Sequence, residues 1–100
     1  RIVEQLPEYP GGMVAFMKWI TNNLRYPLIA QRQHIEGKVV VSFIINKDGS
    51  ISGAKVEHSV DPLLDQEALR VVRLMPKWKP GLEKNKPCRT LFAIPINFKL

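Results

Sequence analysis

Apolar residues follow two periods along this chain, and each change of period marks an element. Met13, Phe16, Met17, Ile20 and Leu24 recur every three or four positions, which predicts one face of an amphipathic helix. Pro10-Gly11-Gly12 breaks the chain ahead of it. Tyr26-Pro27 closes it, because the residue before a proline is pushed out of the α region. Pro27 also suits the first turn of a short second helix through Leu28, Ala30 and Gln33, with Gly37 as its stop.

From Lys38 to Asn46 the period drops to two. Val39, Val41, Phe43 and Ile45 share one face while Val40 and Ile44 lie on the other. Such a strand belongs in the middle of a sheet with some cover on each side. Asn46-Lys47-Asp48-Gly49 has the chemistry of a hairpin turn. Ile51 to His58 returns as a weaker strand, and Gly53 in its interior predicts a bulge. Asp61-Pro62 opens a third helix, the carboxylate capping free amides and the proline at the first position. Its buried face is Leu64, Ala68, Val71, Val72 and Met75, and Pro76 ends it. Pro80-Gly81 and Asn85 to Pro87 read as a polar loop. The last strand, from about Arg89 to Leu100, sets Phe92, Ile94, Ile96, Phe98 and Leu100 against Leu91, Ala93, Pro95, Asn97 and Lys99.

This order predicts an α+β fold: a three-stranded antiparallel sheet of order 2-1-3, packed with two main helices and a short one. The third helix carries the chain back along the sheet, so the last strand lies antiparallel beside the first. Pro95 fits that placement, since proline is tolerated on an edge strand and not in a sheet's centre. Residues 1–9 form a lead-in and 10–100 the domain. The abrupt polar start at Arg1 is expected of a piece trimmed from something longer.

Composition narrows the class. One hundred residues make one domain near the lower end of sizes that bury an adequate core. No apolar run approaches the length that crosses a bilayer, and no signal peptide is present. Cys88 is the single cysteine, so neither an intramolecular disulfide nor a cysteine metal site can form. The net charge is +6, and the excess gathers at Arg70, Arg73, Lys77, Lys79, Lys84, Lys86 and Arg89. A basic stretch fits nucleic acid, an anionic membrane surface, an acidic protein segment or a plain solvated helix end.

No catalytic set converges. His58 sits between Glu57 and Ser59, but neighbours on a strand point to opposite faces. His34 has no second ligand at helical spacing, so no metal site is expected. Gly11-Gly12 lacks the lysine and the preceding strand of a phosphate loop, so no cofactor is expected either. Cys88 beside Arg89 lacks a partner base and reads as incidental. Trp78, flanked by Lys77 and Lys79, could stack a nucleic-acid base. One aromatic is not a platform, and covering the end of the core is the favoured reading.

Several short motifs stand in a telling order: Tyr26-Pro27 with Ala30, Ile35-Glu36-Gly37-Lys38-Val39, Asp48-Gly49-Ser50-Ile51, then Val56, Ser59, Pro62 and Ala68, then Trp78 with Pro80-Gly81, and Ile96-Asn97-Phe98-Lys99-Leu100. From Pro7 onward the chain resembles the C-terminal domain of the TonB energy transducers of Gram-negative bacteria. The Bacteroidetes-like branch, with its Pro7-Glu8-Tyr9-Pro10-Gly11-Gly12 lead-in, is most similar. The resemblance implies a periplasmic domain tethered to the inner membrane, with a proton-driven motor acting on the missing N-terminal part. Its partners would be TonB-dependent outer-membrane transporters importing siderophores, cobalamin or glycans. The same module appended to a membrane sensor metallopeptidase is the nearest alternative, and a basic nucleic-acid-binding domain is a more distant one. A homodimer stays open.

The resemblance also implies β-strand addition of a transporter peptide, and it brings in Arg25, Tyr26 and Pro27. Here Asn23-Leu24-Arg25 replaces the glutamine-proline that precedes Tyr-Pro in proteobacterial members. On the last strand, Pro95 has no N–H, so its side should face solvent. By parity Leu91, Ala93 and Asn97, with Arg89 ahead of them, share that free side, and Ile94 and Ile96 bond inward. Pro95 leaves a gap in the edge that discourages sheet-to-sheet pairing of two copies.

Overall fold

In a computed structural model describing residues 4–100, the most apolar strand is the central one. The elements are α1 (Gly12–Asn23), α2 (Leu28–Arg32), β1 (Gly37–Ile45), β2 (Ile51–His58), α3 (Pro62–Arg73), β3 (Gly81–Glu83), β4 (Lys86–Cys88) and β5 (Thr90–Phe98). The main sheet has the order β2-β1-β5, with β1 antiparallel to both neighbours. This is the expected 2-1-3 arrangement, with β5 as its third strand.

The core lies on one face of this sheet. Val39, Val41, Phe43 and Ile45 of β1 meet Ile94, Ile96 and Phe98 of β5 beneath Leu64, Ala68, Val71 and Val72 of α3. At one end Trp78, only 6% exposed, closes the core. Its ring lies 5.6 Å from Tyr9, 5.5 Å from Phe16, 5.8 Å from Phe43 and 5.4 Å from Phe92, tilted pairings that aromatic quadrupoles favour.

Local chemistry fixes the joints. Asp61 accepts from the Leu63 N–H at 2.9 Å and Pro62 opens α3, the expected cap. The β1–β2 turn closes with Gly49 at φ 86°. A Cβ there would stand 2.0 Å from the Trp78 carbonyl oxygen, while the Trp78 N–H donates to the Gly49 carbonyl at 2.9 Å. Only glycine permits this approach. The pairing of Ser42 with Lys55 and of Ile44 with Ser52 skips a residue of β2, which is the bulge expected around Gly53.

Other expectations need correction. His34, at φ 54°, ends α2 three residues before Gly37, and the Ile35 N–H returns to the Ala30 carbonyl at 2.9 Å. α3 ends at Arg73 rather than at Pro76, although Met75 is still buried. Among the described residues no helix covers the second face of β1: Ser52, Lys55 and Glu57 of β2 and Leu91, Ala93 and Asn97 of β5 are exposed. Ser42 is shielded there by its own sheet, donating to Glu57 at 2.8 Å.

The supposed polar loop is a hairpin, β3 paired with β4. Lys84 and Asn85 at its tip take φ 52° and 62°, the double left-handed turn that suits tight hairpins. The lead-in joins it, with Gln5 paired to Leu82 of β3 and Glu8 to Lys79 just before that strand. Local polarity could not reveal strands whose stability comes from so distant a segment. The lead-in also delivers Tyr9 to the core.

Candidate functional site

Among the described residues β5 has one neighbour, β1, in an unbroken register from Gly37–Phe98 to Ile45–Thr90. Pro95 stands opposite Val40. Because proline brings no N–H, that pair is a non-bonded rung, and the flanking rungs Ile94–Val41 and Ile96–Val39 carry the inter-strand bonds. Leu91, Ala93 and Asn97, which alternate with those rungs, turn their backbone groups toward the open side. Their side chains are exposed, Leu91 to 71%.

The other edge is less inviting. β2 is interrupted by register shifts and carries Lys55 and Glu57, 3.9 Å apart. Bulges and charges are the usual guards of an edge strand. β5 instead keeps an unbroken register with β1 and carries Pro95 as its guard.

The Tyr26-Pro27 segment lies at one end of this edge. The Tyr26 hydroxyl donates to the Ile35 carbonyl, and the ring meets Phe98 edge-on at 5.5 Å. Burial first, and the Glu36 charge second, raise the Tyr26 pKa, so the hydroxyl remains a neutral donor. Arg25 is exposed, and its N–H donates to Glu67 Oε2 at 2.5 Å.

Glu67 was not singled out from the sequence. It is 8% exposed on α3 and receives Arg70 through Nε at 2.6 Å and Nη2 at 2.8 Å. Arg70 Nη2 also donates to the Asn23 carbonyl at 2.9 Å. Burial opposes the Glu67 charge, but Arg70 and the Arg25 N–H outweigh it and leave the carboxyl below its ordinary pKa. The pair ties the loop after α1 to α3 and so positions Tyr26 beside β5. Its sequence signal is an i, i+3 acid–base pair, too common to single out.

Tyr26, Pro95 and Asn97 line one groove. Arg89, exposed just before β5, is about 27 Å from that end at the usual strand rise. The expected binding residues thus mark the two ends of one edge rather than a single pocket. Of the other candidates, Trp78 is buried and offers no face to a base. The Ser59 hydroxyl donates to Asp65 rather than meeting His58. Cys88 is buried, its Sγ 3.9 Å from Thr90 Oγ1.

Residues 22–100 match the family model for the Gram-negative bacterial TonB protein C-terminal. The chain belongs to the TonB C-terminal family. Protein TonB from Helicobacter pylori strain J99 is 39% identical over 83 residues, covering 81% of this chain and 28% of that protein. Protein TonB from Haemophilus influenzae is 43% identical over 61 residues, covering 60% of this chain and 23% of its own length. The chain therefore spans about a quarter of the length of these curated relatives. The solution structure of the H. pylori TonB C-terminal domain, residues 194–285, superposes with a TM-score of 0.65 at 32% identity. That match covers 86% of this chain and 90% of the other. A longer form of the same domain, residues 179–285, gives a TM-score of 0.65 at 33% identity, covering 91% and 86%. The TonB C-terminal fold is thus reached from sequence and from structure alike.

Proposed function

We propose that this TonB C-terminal domain couples an energy source to outer-membrane transport by accepting a transporter peptide as a fourth strand on β5. The observation that carries this reading is the edge of β5 left unpaired among the described residues, where Leu91, Ala93 and Asn97 offer backbone donors and acceptors and Pro95 between them offers only its carbonyl. Strand addition needs such an edge and little else. In this reading the domain works in the periplasm, joined through the rest of its protein to the inner membrane and its proton-driven motor. It serves the uptake of siderophores, cobalamin or glycans, and Arg25, Tyr26, Pro27 and Arg89 flank the docked strand. Catalysis has no part in it.

A pair of proline substitutions tests it. Ala93→Pro removes an outward N–H and should abolish binding of a transporter's N-terminal peptide while circular dichroism stays native. Ile94→Pro removes an inward N–H from the Val41 rung and should unfold the domain, since a proline on the bonded side of a strand deletes a ladder hydrogen bond and its ring does not fit there. The reverse outcome would invert the edge assignment, and unchanged binding by Ala93→Pro would end the strand-addition reading.

A further inference from the structure

The lead-in lies on the domain as a strap. Gln5 and Leu82 exchange backbone N–H···O bonds at 3.1 and 2.9 Å, and Glu8 and Lys79 do so at 3.0 and 2.8 Å. The Glu4 carboxylate accepts from the Lys84 N–H at the hairpin tip. Side-chain burial adds little, since Glu4, Gln5, Leu6 and Glu8 are exposed and only Pro7 and Tyr9 are buried. Tyr9 is the anchor, its ring 5.3 Å from Phe16 and 5.6 Å from Trp78. Phe16 alone of α1 is fully buried, while Met13 and Met17 of the predicted stripe are 67% and 56% exposed. Between strap and helix, Gly11 and Gly12 take φ 88° and 84°, consecutive left-handed residues that glycine adopts readily. No side chain caps the start of α1.

We propose that residues 4–9 are a releasable clasp: they peel from β3 about the Gly11–Gly12 hinge, withdraw Tyr9 from Trp78 and loosen the β3–β4 hairpin, while the main sheet and α3 stay folded. Segments with exposed hydrogen bonds and few buried apolar contacts open first. The strap has two isolated pairs and one buried aromatic ring, whereas β1 and β5 pair without a break from Gly37–Phe98 to Ile45–Thr90. The open state also regains something. Among the described residues the buried Trp78 indole N–H has no hydrogen-bond partner, and Tyr9 is one of the four rings packed around it. A buried donor without a partner is stabilised by an opening that admits water. Phe16, Phe43 and Phe92 still hold Trp78, and its backbone N–H still reaches the Gly49 carbonyl, so the release stops short of the β1–β2 turn. Position gives the clasp its use. Any pull on the chain ahead of Glu4 reaches these rungs before it reaches α1, β1 or the β5 edge. Peeling them lengthens the connection by up to about 20 Å, the extended reach of residues 4–9, before the edge takes the load. Only the source of that pull rests on the function proposed above.

Native-state hydrogen exchange followed by NMR tests this and needs no transporter peptide, so its failure is distinct from a failure of strand addition. The amides of Gln5, Glu8, Lys79 and Leu82 should exchange together, with the Trp78 indole N–H, at least about 100-fold faster than those of the Val41–Ile94 rung. Low urea should barely change that rate, because a local opening exposes little surface. Tyr9→Ala should speed the clasp amides about tenfold or more and leave Val41 and Ile94 within about threefold. Gln5→Cys with Leu82→Cys, at paired positions whose spacing a disulfide spans, should slow the clasp amides when oxidised, and reduction should restore their rate. Held at Arg1 and Leu100 in an optical trap, the protein should give a first step of up to about 20 Å before the sheet yields, and the oxidised variant should lack it. Clasp amides that exchange no faster than Val41 and Ile94, or a Tyr9→Ala variant in which all of them speed up alike, would make the lead-in part of one cooperative core and overturn the proposal. A first step that survives the disulfide would deny the clasp its part under tension.

Discussion

Replacing Glu67 by glutamine probes how the edge site is held in shape. The carboxylate accepts two bonds from Arg70 and one from the Arg25 N–H, at 2.6, 2.8 and 2.5 Å. Glutamine keeps one acceptor oxygen but turns an NH2 group toward these donors. Breaking a fully buried charged pair costs about 3–5 kcal/mol. The Arg70 side chain is 35% exposed, and water partly replaces its lost partner, so about 1.5–3 kcal/mol is the reasonable range. The sign with pH follows from the lowered Glu67 pKa. Its stabilisation is fully present above the unfolded value of about 4.3 and is lost as pH falls through the lower folded value. Urea denaturation at neutral pH should therefore separate wild type from Glu67→Gln by that amount, and the gap should shrink steadily on acidification below about pH 4. In the variant, the Tyr26 and Phe98 ring signals should also change, because the loop after α1 is no longer tied to α3. A gap that stays constant into acid, or one below about 0.5 kcal/mol at neutral pH, would show that the charged clamp does not hold this loop.

Three further outcomes follow from the geometry. Gly49→Ala should destabilise by about 2 kcal/mol or more, because the new methyl group meets the Trp78 carbonyl at a left-handed φ; a neutral effect in thermal unfolding would deny the clamp between turn and core. Val72→Ala, at a position with no exposed surface, should cost about 2–3 kcal/mol in chemical denaturation, and a loss under about 1 kcal/mol would put the core elsewhere. Lys84→Glu with Lys86→Glu, at the exposed tip of the β3–β4 hairpin, should slow association with a transporter peptide and flatten its salt dependence while leaving dissociation nearly unchanged; an unchanged stopped-flow association rate at low salt would remove the steering role.

Much of this protein was determined by local sequence pattern. Alternation along Val39–Ile45 and Phe92–Phe98 fixed which faces of β1 and β5 are buried, since adjacent strand residues point to opposite sides. Asp61-Pro62 started α3, and Pro95 selected the edge strand and even the parity of its rungs, because a missing N–H cannot be repaired by packing. What tertiary structure decided were the partners supplied from far along the chain. The lead-in turned Gly81–Cys88 from an apparent loop into a sheet. Glu67 became a clamp because Arg25, 42 positions away, arrives beside it. The stripe on α1 promised burial for Met13 and Met17, yet periodicity states only that a helix has an apolar face. Whether that face is covered depends on how many strands lie beneath it, and a three-stranded sheet stops short.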